Sequence, residues 1–599
     1  MIRDHFRVLL VDLSSGRNTI TDIDGRNAVA GGSGLAALLF EKYGFLGKPW
    51  DDPGQPLIFA IGPLTGYFPL MSKTVCAFKS PYHDQYAESH GGGRSALSLR
   101  FADFDALVIT GRAKTPSALI VGSRQIEIKD VHYLWGTDLQ VAGKILRRMF
   151  PGAGHRTILR IGPAGERLSP MACITADTYR HFGRLGGGAV MGSKNLKAIM
   201  IHGDGSFLLP ENKDYIKVFD KVYKDMTDTD MMSKYHNLGT PGNVRVMNDL
   251  KALPIRNLQA TADPATEGIT GERFAEIALL RNAACAGCPV GCIHIGFVRE
   301  RFQKENRYIY RQISYDHELI FAVGSMLGVM DCFEVLKLID VAEKMGLDVM
   351  SPGVALAWAT EALAKGMITE KETLVPLAFG NTASYEAALE HMGYRTNEFY
   401  HLLSQSTTKA AERYGGGDFA CVLGQEMAGY ATGEAFFVSQ ALGFRHSHLD
   451  AAGYSYDQKP KGKAVEDAVK FLIKDEKGRV FLTSMVSCLF ARSVYNDEVL
   501  SNCLKSIGYG TLADNMDAVA GEIQRLRWKL RVRTGYRPEN VSIPKRFTEI
   551  TTWKGQIDSA FLSSLKDQYA SAIRDLASTD TTASTSEKKE GHWHIENTT

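Results

Sequence analysis

Cysteine is scarce in this sequence, and so are the features of a secreted protein. The 599 residues contain nine cysteines, an odd number, and no apolar stretch with a small-residue cleavage site follows Met1. A disulfide framework and a secretory signal are therefore not predicted, and we expect a cytoplasmic protein with reduced thiols. In such a setting, a tight group of cysteines indicates metal ligation.

Charge imbalance and membrane-length apolar runs are also missing. Lys and Arg number 69 against 67 Asp and Glu, and no dense basic block occurs, so nucleic acid is not expected as a partner. The longest uncharged apolar run, residues 319–330, is too short to cross a bilayer, so no membrane span is predicted. What remains has the composition of an ordinary globular protein with several domains.

The character of the sequence changes near residue 206. Before it, β-rich runs closed by turn residues dominate, such as "FRVLLVDLSSG" (6–16), which "RNTITDID" follows as a predicted hairpin partner. After it, helical periodicity dominates, and "YGGGDF" (414–419) is a plausible join between two helical domains. The predicted organisation is a β-rich domain, two mainly helical domains and a disordered tail poor in apolar residues, over residues 1–205, 206–413, 414–577 and 578–599.

Three of the nine cysteines fall within eight positions, as Cys285-x2-Cys288-x3-Cys292. Three thiolates at short loop spacings with a fourth from a distant segment are typical of a 4Fe–4S cluster. Nearby His294 keeps a zinc site open, and core thiols are the third alternative. The candidates for a fourth thiolate are Cys76, Cys173, Cys332, Cys421, Cys488 and Cys503.

Two glycine-rich segments form the second chemical signal. "GRLGGGAVMGSKNLKAIMI" (183–201) resembles a phosphate-binding P-loop, but Ser193-Lys194 reverses the order that this motif needs, and "LKAIMI" reads as a strand. Glycine lets backbone N–H groups approach an anion, and Arg184 and Lys194 would add charge. "ESHGGGRSA" (88–96) repeats this chemistry. Each segment alone is explained by a tight turn; together they favour a ligand with more than one phosphate.

The segments taken together resemble a known family. "IGPLTG", "GRLGGGAVMGSKNLKAI", "CAGCPVGC" and "GLDVMSPG" occur in the order and at the approximate spacings of the tungsten-containing aldehyde ferredoxin oxidoreductases. The resemblance covers nearly the whole chain. It implies an α+β fold in which an N-terminal β-rich domain forms the base for a bis-pyranopterin tungsten cofactor. Two mainly α-helical domains would supply pterin contacts, cluster ligands and a substrate cavity.

The resemblance also assigns roles residue by residue. Cys285, Cys288 and Cys292 would ligate one 4Fe–4S cluster, with Cys488 in "VSCLFAR" as the distant fourth ligand. Molybdenum could replace tungsten, and a Mg²⁺ ion at the pterin phosphates is compatible with the family. The implied cofactor-binding residues are Lys73, Ser89, Gly91, Arg184, Gly186, Gly187, Asp348, Gly353, Glu426 and Met427.

Glu318 in "HELIFAVG" and His448 in "FRHSHLD" match a glutamate beside the metal and a histidine of the substrate cavity. His446 is an alternative to His448, because the register of "RHSH" is ambiguous. Thr483 stands where the family has a pterin-binding aspartate, which leaves open how the second pterin is held.

The implied activity is oxidation of a small-molecule aldehyde to a carboxylic acid. Electrons would leave to a ferredoxin or a ferredoxin-like electron-transfer subunit, in a homo-oligomer or hetero-oligomer. An alternative within the family is low-potential reduction of an aromatic acyl-CoA thioester. An alternative from another class is a zinc-stabilised scaffold without redox function.

Overall fold

A computed structural model of the chain describes residues 3–152, 155–302, 307–459 and 464–578. The predicted tail therefore lies, apart from Ser578, outside the described residues. The strands up to residue 205 are β1 (Phe6–Asp12), β2 (Asn18–Ile23), β3 (Leu57–Ala60), β4 (Thr74–Lys79), β5 (Tyr86–Gly91), β6 (Ala106–Thr110), β7 (Ser117–Val121), β8 (Ile126–Asp130), β9 (His155–Arg160), β10 (Ile174–Ala176), β11 (Arg180–Phe182) and β12 (Leu196–Gly203). The helices of this part are α1 (Arg26–Val29), α2 (Gly32–Tyr43), α3 (Ser95–Phe101), α4 (Leu139–Met149), α5 (Pro163–Glu166) and α6 (Gly187–Ser193).

These strands form two six-stranded mixed sheets. The first has the order β2-β1-β6-β3-β4-β5 and the second β11-β10-β9-β12-β7-β8. The β1–β6 and β12–β7 pairs are parallel, and the other pairs are antiparallel. The predicted hairpin of β1 and β2 and the predicted strand at "LKAIMI" are both confirmed.

The two sheets pack face to face, which follows from alternation of side chains along each strand. Leu9 and Phe59 of the first sheet share one buried core with Leu159 and Ile199 of the second. The opposite face of the first sheet is covered by α2, and that of the second by α4. The result is a four-layer β-sandwich-like base with helices outside.

The rest of the chain is mainly helical. Its first half contains α7 (Lys213–Thr227), α8 (Asp230–Asn237), α9 (Asn243–Asp249), α10 (Gly271–Ile277), α11 (His317–Val323), α12 (Cys332–Met345), α13 (Met350–Ala364), α14 (Glu370–Thr373), α15 (Thr382–Tyr394), α16 (Glu398–Leu403) and α17 (Thr407–Tyr414). The second half contains α18 (Glu434–Leu442), α19 (Gly453–Asp457), α20 (Val465–Ser484), α21 (Asp497–Ser506), α22 (Gly510–Asp514), α23 (Met516–Arg533), α24 (Arg546–Glu549) and α25 (Ser559–Ser578).

Helical periodicity did not reveal an antiparallel sheet in this part. Its strands are β13 (Leu279–Ala283), β14 (Ile293–Phe302) and β15 (Arg307–Tyr315), and α12 packs on one face. The loop between β13 and β14 carries the three clustered cysteines. Two short hairpins follow, β16 (Val422–Leu423) with β17 (Gln425–Glu426) and β18 (Thr551–Thr552) with β19 (Gly555–Gln556).

The last helices pack back on the N-terminal base. Helix α2 contacts both α20 and α23. Gly32 opens α2 at φ +40°, and a Cβ there would collide with the carbonyl oxygen of Thr483 at the end of α20. This close approach brings the segment after α20, which contains Cys488, against the β-rich part.

No single helix among the described residues is long and apolar enough to cross a membrane. The bent pair His317–Leu327 and Cys332–Met345, at 109° to each other, meets the length and composition test jointly, and both members are largely buried in the core.

Candidate functional site

One cavity of about 360 Å³ lies where the β-rich base meets the helical part. Its wall contains residues of both cysteine-bearing segments. Residues of "ESHGGG" on β5 and the start of α13 also contribute. Ten of the sixteen residues proposed from the sequence line it, namely Lys73, Ser89, Arg184, Cys285, Cys288, Cys292, Glu318, Asp348, His448 and Cys488.

A short segment of the base, Leu70 to Lys73, bridges the two cysteine segments. The Leu70 N–H donates to Gly287 O at 3.1 Å, within the three-cysteine loop. The Cys488 N–H donates to Leu70 O at 3.0 Å, and the Lys73 N–H donates to Val486 O at 3.1 Å. These backbone hydrogen bonds hold Cys488 and the loop on either side of one strip of chain, although some 200 residues separate them in sequence.

The glycine segment at the end of β5 closes on the same loop. The Gly93 N–H donates to Cys285 Sγ at 3.2 Å, and the Ala286 N–H donates to Gly93 O at 3.0 Å. A Cβ at Gly92 would lie 2.9 Å from Cys285 Sγ and 3.1 Å from Lys73 Nζ. Glycine is therefore required here by close approach of the backbone to the sulfur. Gly92 and Gly93 were not among the residues proposed from the sequence.

Positive charge adjoins the sulfurs. Burial opposes the charge of Lys73, but the facing Cys488 and Cys285 raise the pKa of this amine above its ordinary value. Burial likewise opposes a thiolate at Cys285, but Lys73, Arg180 and the Gly93 N–H together lower the pKa of this thiol. The environment of Cys285 thus favours the thiolate, which is the form that binds iron.

The alternative zinc ligand does not face the sulfurs. His294 Nδ1 lies 3.2 Å from Cys292 O, and Nε2 lies 2.9 Å from Asn237 O, so backbone carbonyls face both ring nitrogens. In the described ranges, no group of three or more His, Cys, Asp or Glu side chains converges as the ligands of a single metal ion. Four sulfurs around one cavity are the ligand set of a 4Fe–4S cluster, in which each thiolate binds a different iron.

Arg184 connects the base to α13. Its Nε and Nη2 donate to Ser351 Oγ at 3.2 and 3.0 Å, while its carbonyl accepts from Ser89 Oγ at 2.6 Å. The Ser351 N–H donates to Asp348 at 2.7 Å. Burial raises the pKa of Asp348 to about 6, although Arg184 lowers it. These groups form a polar wall that could bind the amide and phosphate groups of a pterin.

The other six residues lie outside the lining of this cavity. The glycines serve close packing: a Cβ at Gly91 would meet the Phe182 ring at 2.9 Å, and one at Gly187 would meet Phe78 at 3.1 Å. Glu426 accepts from the Tyr82 hydroxyl at 2.9 Å and from the Thr407 N–H at 2.9 Å. The full set is Gly91, Gly186, Gly187, Gly353, Glu426 and Met427. Their direct contact with a cofactor stays a prediction.

Lys194 differs from the expectation that it would face an anion. Its Nζ donates to Gln55 O at 2.6 Å and to Pro53 O at 3.1 Å, inside the β-rich base. Burial lowers the pKa of this amine to about 7. The amine ties turns of the base together, so the expectation that Lys194 contacts an anionic ligand was wrong.

Glu318 and His448 face each other across the cavity. His448 Nε2 lies 3.3 Å from Glu318 Oε1, and Glu318 Oε2 accepts from the Gly429 N–H at 3.1 Å. Burial raises the pKa of Glu318 to about 8 and lowers that of His448 to about 3. Both side chains are thus mainly neutral near pH 7.

The ambiguity between the two histidines has a geometric answer. His446 Nδ1 lies 2.9 Å from Ala441 O, and Arg531 faces its Nε2, so it does not line this cavity. His446 itself has φ +50°, and this backbone conformation turns its ring away from that of His448. Within the described chain, His448 is therefore the histidine of "RHSH" that lies beside Glu318.

Several lining residues carried no sequence signal. Arg180 lies on β11, Gln425 on β17 and His90 on β5; His90 Nδ1 lies 3.1 Å from Arg445 Nη1. Thr483, which the resemblance did single out, also lines the cavity, and its hydroxyl accepts from Ser33 Oγ at 3.0 Å. These residues come from four separate segments, so no local spacing could have grouped them.

The lining leaves polar atoms for a ligand to satisfy. Within the part of the chain described, Glu318 Oε1, Arg180 Nε and Gln425 Oε1 are buried without a hydrogen-bond partner. Buried polar atoms without partners are rare in native proteins. Together with four thiols and Gly92 against Cys285, this donor set fits a 4Fe–4S cluster and an adjacent polar, pterin-like group.

Comparisons with known proteins show the family. The family model of the aldehyde ferredoxin oxidoreductase N-terminal domain matches residues 8–203, and the model of domains 2 and 3 matches residues 217–573. The chain belongs to the aldehyde ferredoxin oxidoreductase family. The predicted α+β class, a β-rich base followed by helical domains, is confirmed with it.

Relatives within this oxidoreductase family carry different activities in their names. The tungsten-containing aldehyde ferredoxin oxidoreductase of Pyrococcus furiosus is 28% identical over 567 residues, 91% of each chain. The same organism's aliphatic sulfonate oxidoreductase, WOR-like subunit, is 29% identical over 67% of this chain and 66% of its own. Among solved structures, the active site complex BamBC of benzoyl coenzyme A reductase, in complex with 1,5-dienoyl-CoA, has a TM-score of 0.79. It shares 19% identity over 95% of both chains, which shows the fold alone.

Proposed function

We propose that this family member is a tungsten–pterin and 4Fe–4S-dependent oxidoreductase. It oxidises an aldehyde to a carboxylic acid and passes the electrons to a ferredoxin-type acceptor. The observation that carries the proposal is one cavity that contains both the four thiols of Cys285, Cys288, Cys292 and Cys488 and the facing pair of Glu318 and His448.

The reaction sets what the protein must do. An aldehyde and water give a carboxylic acid, two protons and two electrons. When bound, the tungsten–pterin group would accept the electron pair, and the cluster would release the electrons singly. The four cysteines would hold the cluster, with Lys73 offsetting its negative charge. Arg184, Ser89 and Asp348 would hold the pterin through the polar wall described above.

His448 and Glu318 would handle the proton. Neutral His448 can donate an N–H to the carbonyl oxygen, where negative charge develops during addition of water. Glu318 would accept a proton from that water. Its pKa of about 8 suits this role, because both protonation states are reached near neutral pH. The exclusion of bulk water by burial makes both hydrogen bonds stronger.

Two alternatives differ in their support. Reduction of an aromatic acyl-CoA thioester draws on the likeness to the benzoyl coenzyme A reductase complex, which is a likeness of fold alone. A zinc-stabilised scaffold has no support from His294, whose ring nitrogens both face carbonyls. Oxidation of an aldehyde remains the proposal that best uses the Glu318 and His448 pair.

The test is elemental analysis of anaerobically purified protein, followed by assays with a viologen dye and a series of aldehydes. Iron, tungsten or molybdenum, and aldehyde-dependent dye reduction are expected. Iron and tungsten without activity on any aldehyde would overturn the substrate but keep the cofactors, and benzoyl-CoA with a low-potential donor would then be assayed. A colourless protein that contains zinc would overturn the whole proposal.

A further inference from the structure

A second cavity, of about 400 Å³, is lined by an unusual number of arginines. Asp177 is the one acidic residue among the lining residues, so positive charge dominates. The arginines come from the start of α3, from α4, from β9, from β11 and from β13, and they are Arg94, Arg147, Arg156, Arg180 and Arg281.

The five arginines lack a close carboxylate partner. Across the described ranges, none lies within 4.0 Å of a carboxylate oxygen of Asp or Glu. Arg156 donates to Phe150 O at 2.9 Å, and Arg281 donates to Gln312 Oε1 at 3.2 Å, both neutral acceptors. Arg94, Arg147 and Arg281 are exposed to solvent. Arg147 and Arg281 therefore present their charge to solvent, whereas the charges of Arg180 and Arg94 also act on Cys285 and Asp177.

This arginine cavity lies directly outside the three-cysteine loop. Gly93, Ala283 and Ala284 form part of its wall. Ala283 and Ala284 precede Cys285 in the chain, and the Gly93 N–H donates to Cys285 Sγ. Arg180 lines both this cavity and the cavity with the four thiols. A partner bound here would thus be separated from the proposed cluster by a single layer of loop and side chain.

The outer face of the β13–β15 sheet continues the same surface. Tyr308 and Tyr310 lie on the face away from α12 and are 53% and 50% exposed. Gln312 on this face accepts from both Arg281 and Tyr179, which joins the sheet to the arginine cavity. Tyrosine, phenylalanine and arginine are the side chains enriched in protein interfaces.

We propose that the arginine cavity and the outer face of the β13–β15 sheet form the docking surface for a small acidic protein that carries single electrons. The inference rests on the proposed function, since it assumes that electrons leave through the cluster. The charge selects a partner with surface carboxylates, and the exposed aromatic face gives it a flat apolar area to cover. Each turnover would reduce two oxidised carriers by one electron each, and the two protons would go to solvent.

The test uses holoenzyme and a bacterial two-cluster ferredoxin as the acceptor. Arg147→Glu with Arg281→Glu reverses charge at two exposed positions of the surface. The matched control is Arg124→Glu, an exposed arginine in the β7–β8 turn at the opposite edge of the second sheet. Aldehyde oxidation with a viologen dye is measured in parallel, because a small dye does not need this surface.

The double variant is expected to raise KM for ferredoxin about tenfold at low ionic strength, with a weaker salt dependence. Dye-linked activity and the control variant should match the wild type. An unchanged KM for ferredoxin and an unchanged salt dependence would overturn the docking surface. Binding of oxidised ferredoxin to immobilised holoenzyme tests docking without turnover, so an incorrect substrate would leave this test intact. Equal binding by wild type and the double variant would also overturn it.

Discussion

His448 Nε2 lies 3.3 Å from Glu318 Oε1, and burial opposes the charged form of both side chains. The contact does not have hydrogen-bond geometry, since Oε1 has no partner within the described residues. A substrate oxygen or a water molecule between the two groups could form a hydrogen bond with each of them. The pair is therefore arranged to share a proton with a third group instead of with each other.

Replacement of Glu318 tests this arrangement. Glu318→Gln keeps the shape but removes the base, so kcat should fall about 10²- to 10⁴-fold with iron and tungsten content unchanged. Because its pKa is raised to about 8, the wild-type rate should rise with pH through about 8, and the variant should lose this rise.

Glu343→Gln is the matched control for that variant. Burial also raises the pKa of Glu343 to about 8, but this side chain does not line the cavity of the thiols. The control should keep the pH profile of the wild type. A wild-type rate that is flat from pH 6 to 9 would contradict the role of Glu318 as base.

If Cys488 is the fourth ligand of the proposed cluster, its replacement should lower the iron content of the protein. Cys488→Ala should lower iron below the about four atoms per chain of one cluster and weaken the visible absorption. Cys503→Ala is the control, because this thiol is buried on α21 away from the cavity. Full iron content in the Cys488 variant would show that another group completes the site.

Gly92 offers a test that leaves every thiol in place. In Gly92→Ala the new Cβ would lie 2.9 Å from Cys285 Sγ and 3.1 Å from Lys73 Nζ, so iron content per chain should fall. Gly478→Ala is its control, since a Cβ there meets nothing within 4 Å on exposed α20. That control should retain iron and gain about 1 kcal/mol from helix propensity, measured as a higher Tm. Equal iron content in both variants would count against close packing at Gly92.

A buried ion pair next to the cavity governs stability. Arg527 Nε donates to Glu88 Oε1 at 2.8 Å, with both side chains almost fully buried. Arg527→Met leaves the carboxylate unpaired and should cost about 3–5 kcal/mol, seen as a large fall in Tm. The double variant Glu88→Gln with Arg527→Met should recover most of this loss. If the single and double variants unfold at the same temperature, the unpaired Glu88 carboxylate is not the cause of the lost stability.

The same pair sets an acid limit. Burial opposes the Glu88 charge, but Arg527 and His90 lower the pKa of Glu88 from 4.5 to about 2. The folded-state pKa is the lower one, so the stabilisation is present above about pH 4.5 and is lost as pH falls towards 2. The wild-type Tm should therefore drop across this range, and the double variant should show a smaller drop.

Sequence alone predicted much of this fold, for identifiable reasons. The β1–β2 hairpin and β12 followed from local alternation, and the α+β class followed from the resemblance. The β13–β15 sheet was not predicted. It occupies only the 37 positions from Leu279 to Tyr315, and helical periodicity dominates the sequence around them.

The site was less accessible to sequence reasoning. The clustered cysteines carry a spacing, whereas the arginine cavity takes one side chain from each of five elements between positions 94 and 281. Lys194 shows the opposite problem: it belongs to a glycine-rich motif but donates to carbonyls of the base. The sequence of a glycine-rich motif does not show which way a lysine side chain in it points, because the packing of neighbouring strands decides this.

Leu70 hydrogen-bonds to both cysteine segments, to Gly287 with its N–H and to Cys488 with its carbonyl. Among the described residues, no backbone hydrogen bond joins the two cysteine segments directly. The proposed cluster would then be inserted only late in maturation, after the whole polypeptide has been synthesised and its parts have docked. The brown colour of a preparation would report completed assembly, and a truncated chain that lacks the base should stay pale even if its helices form.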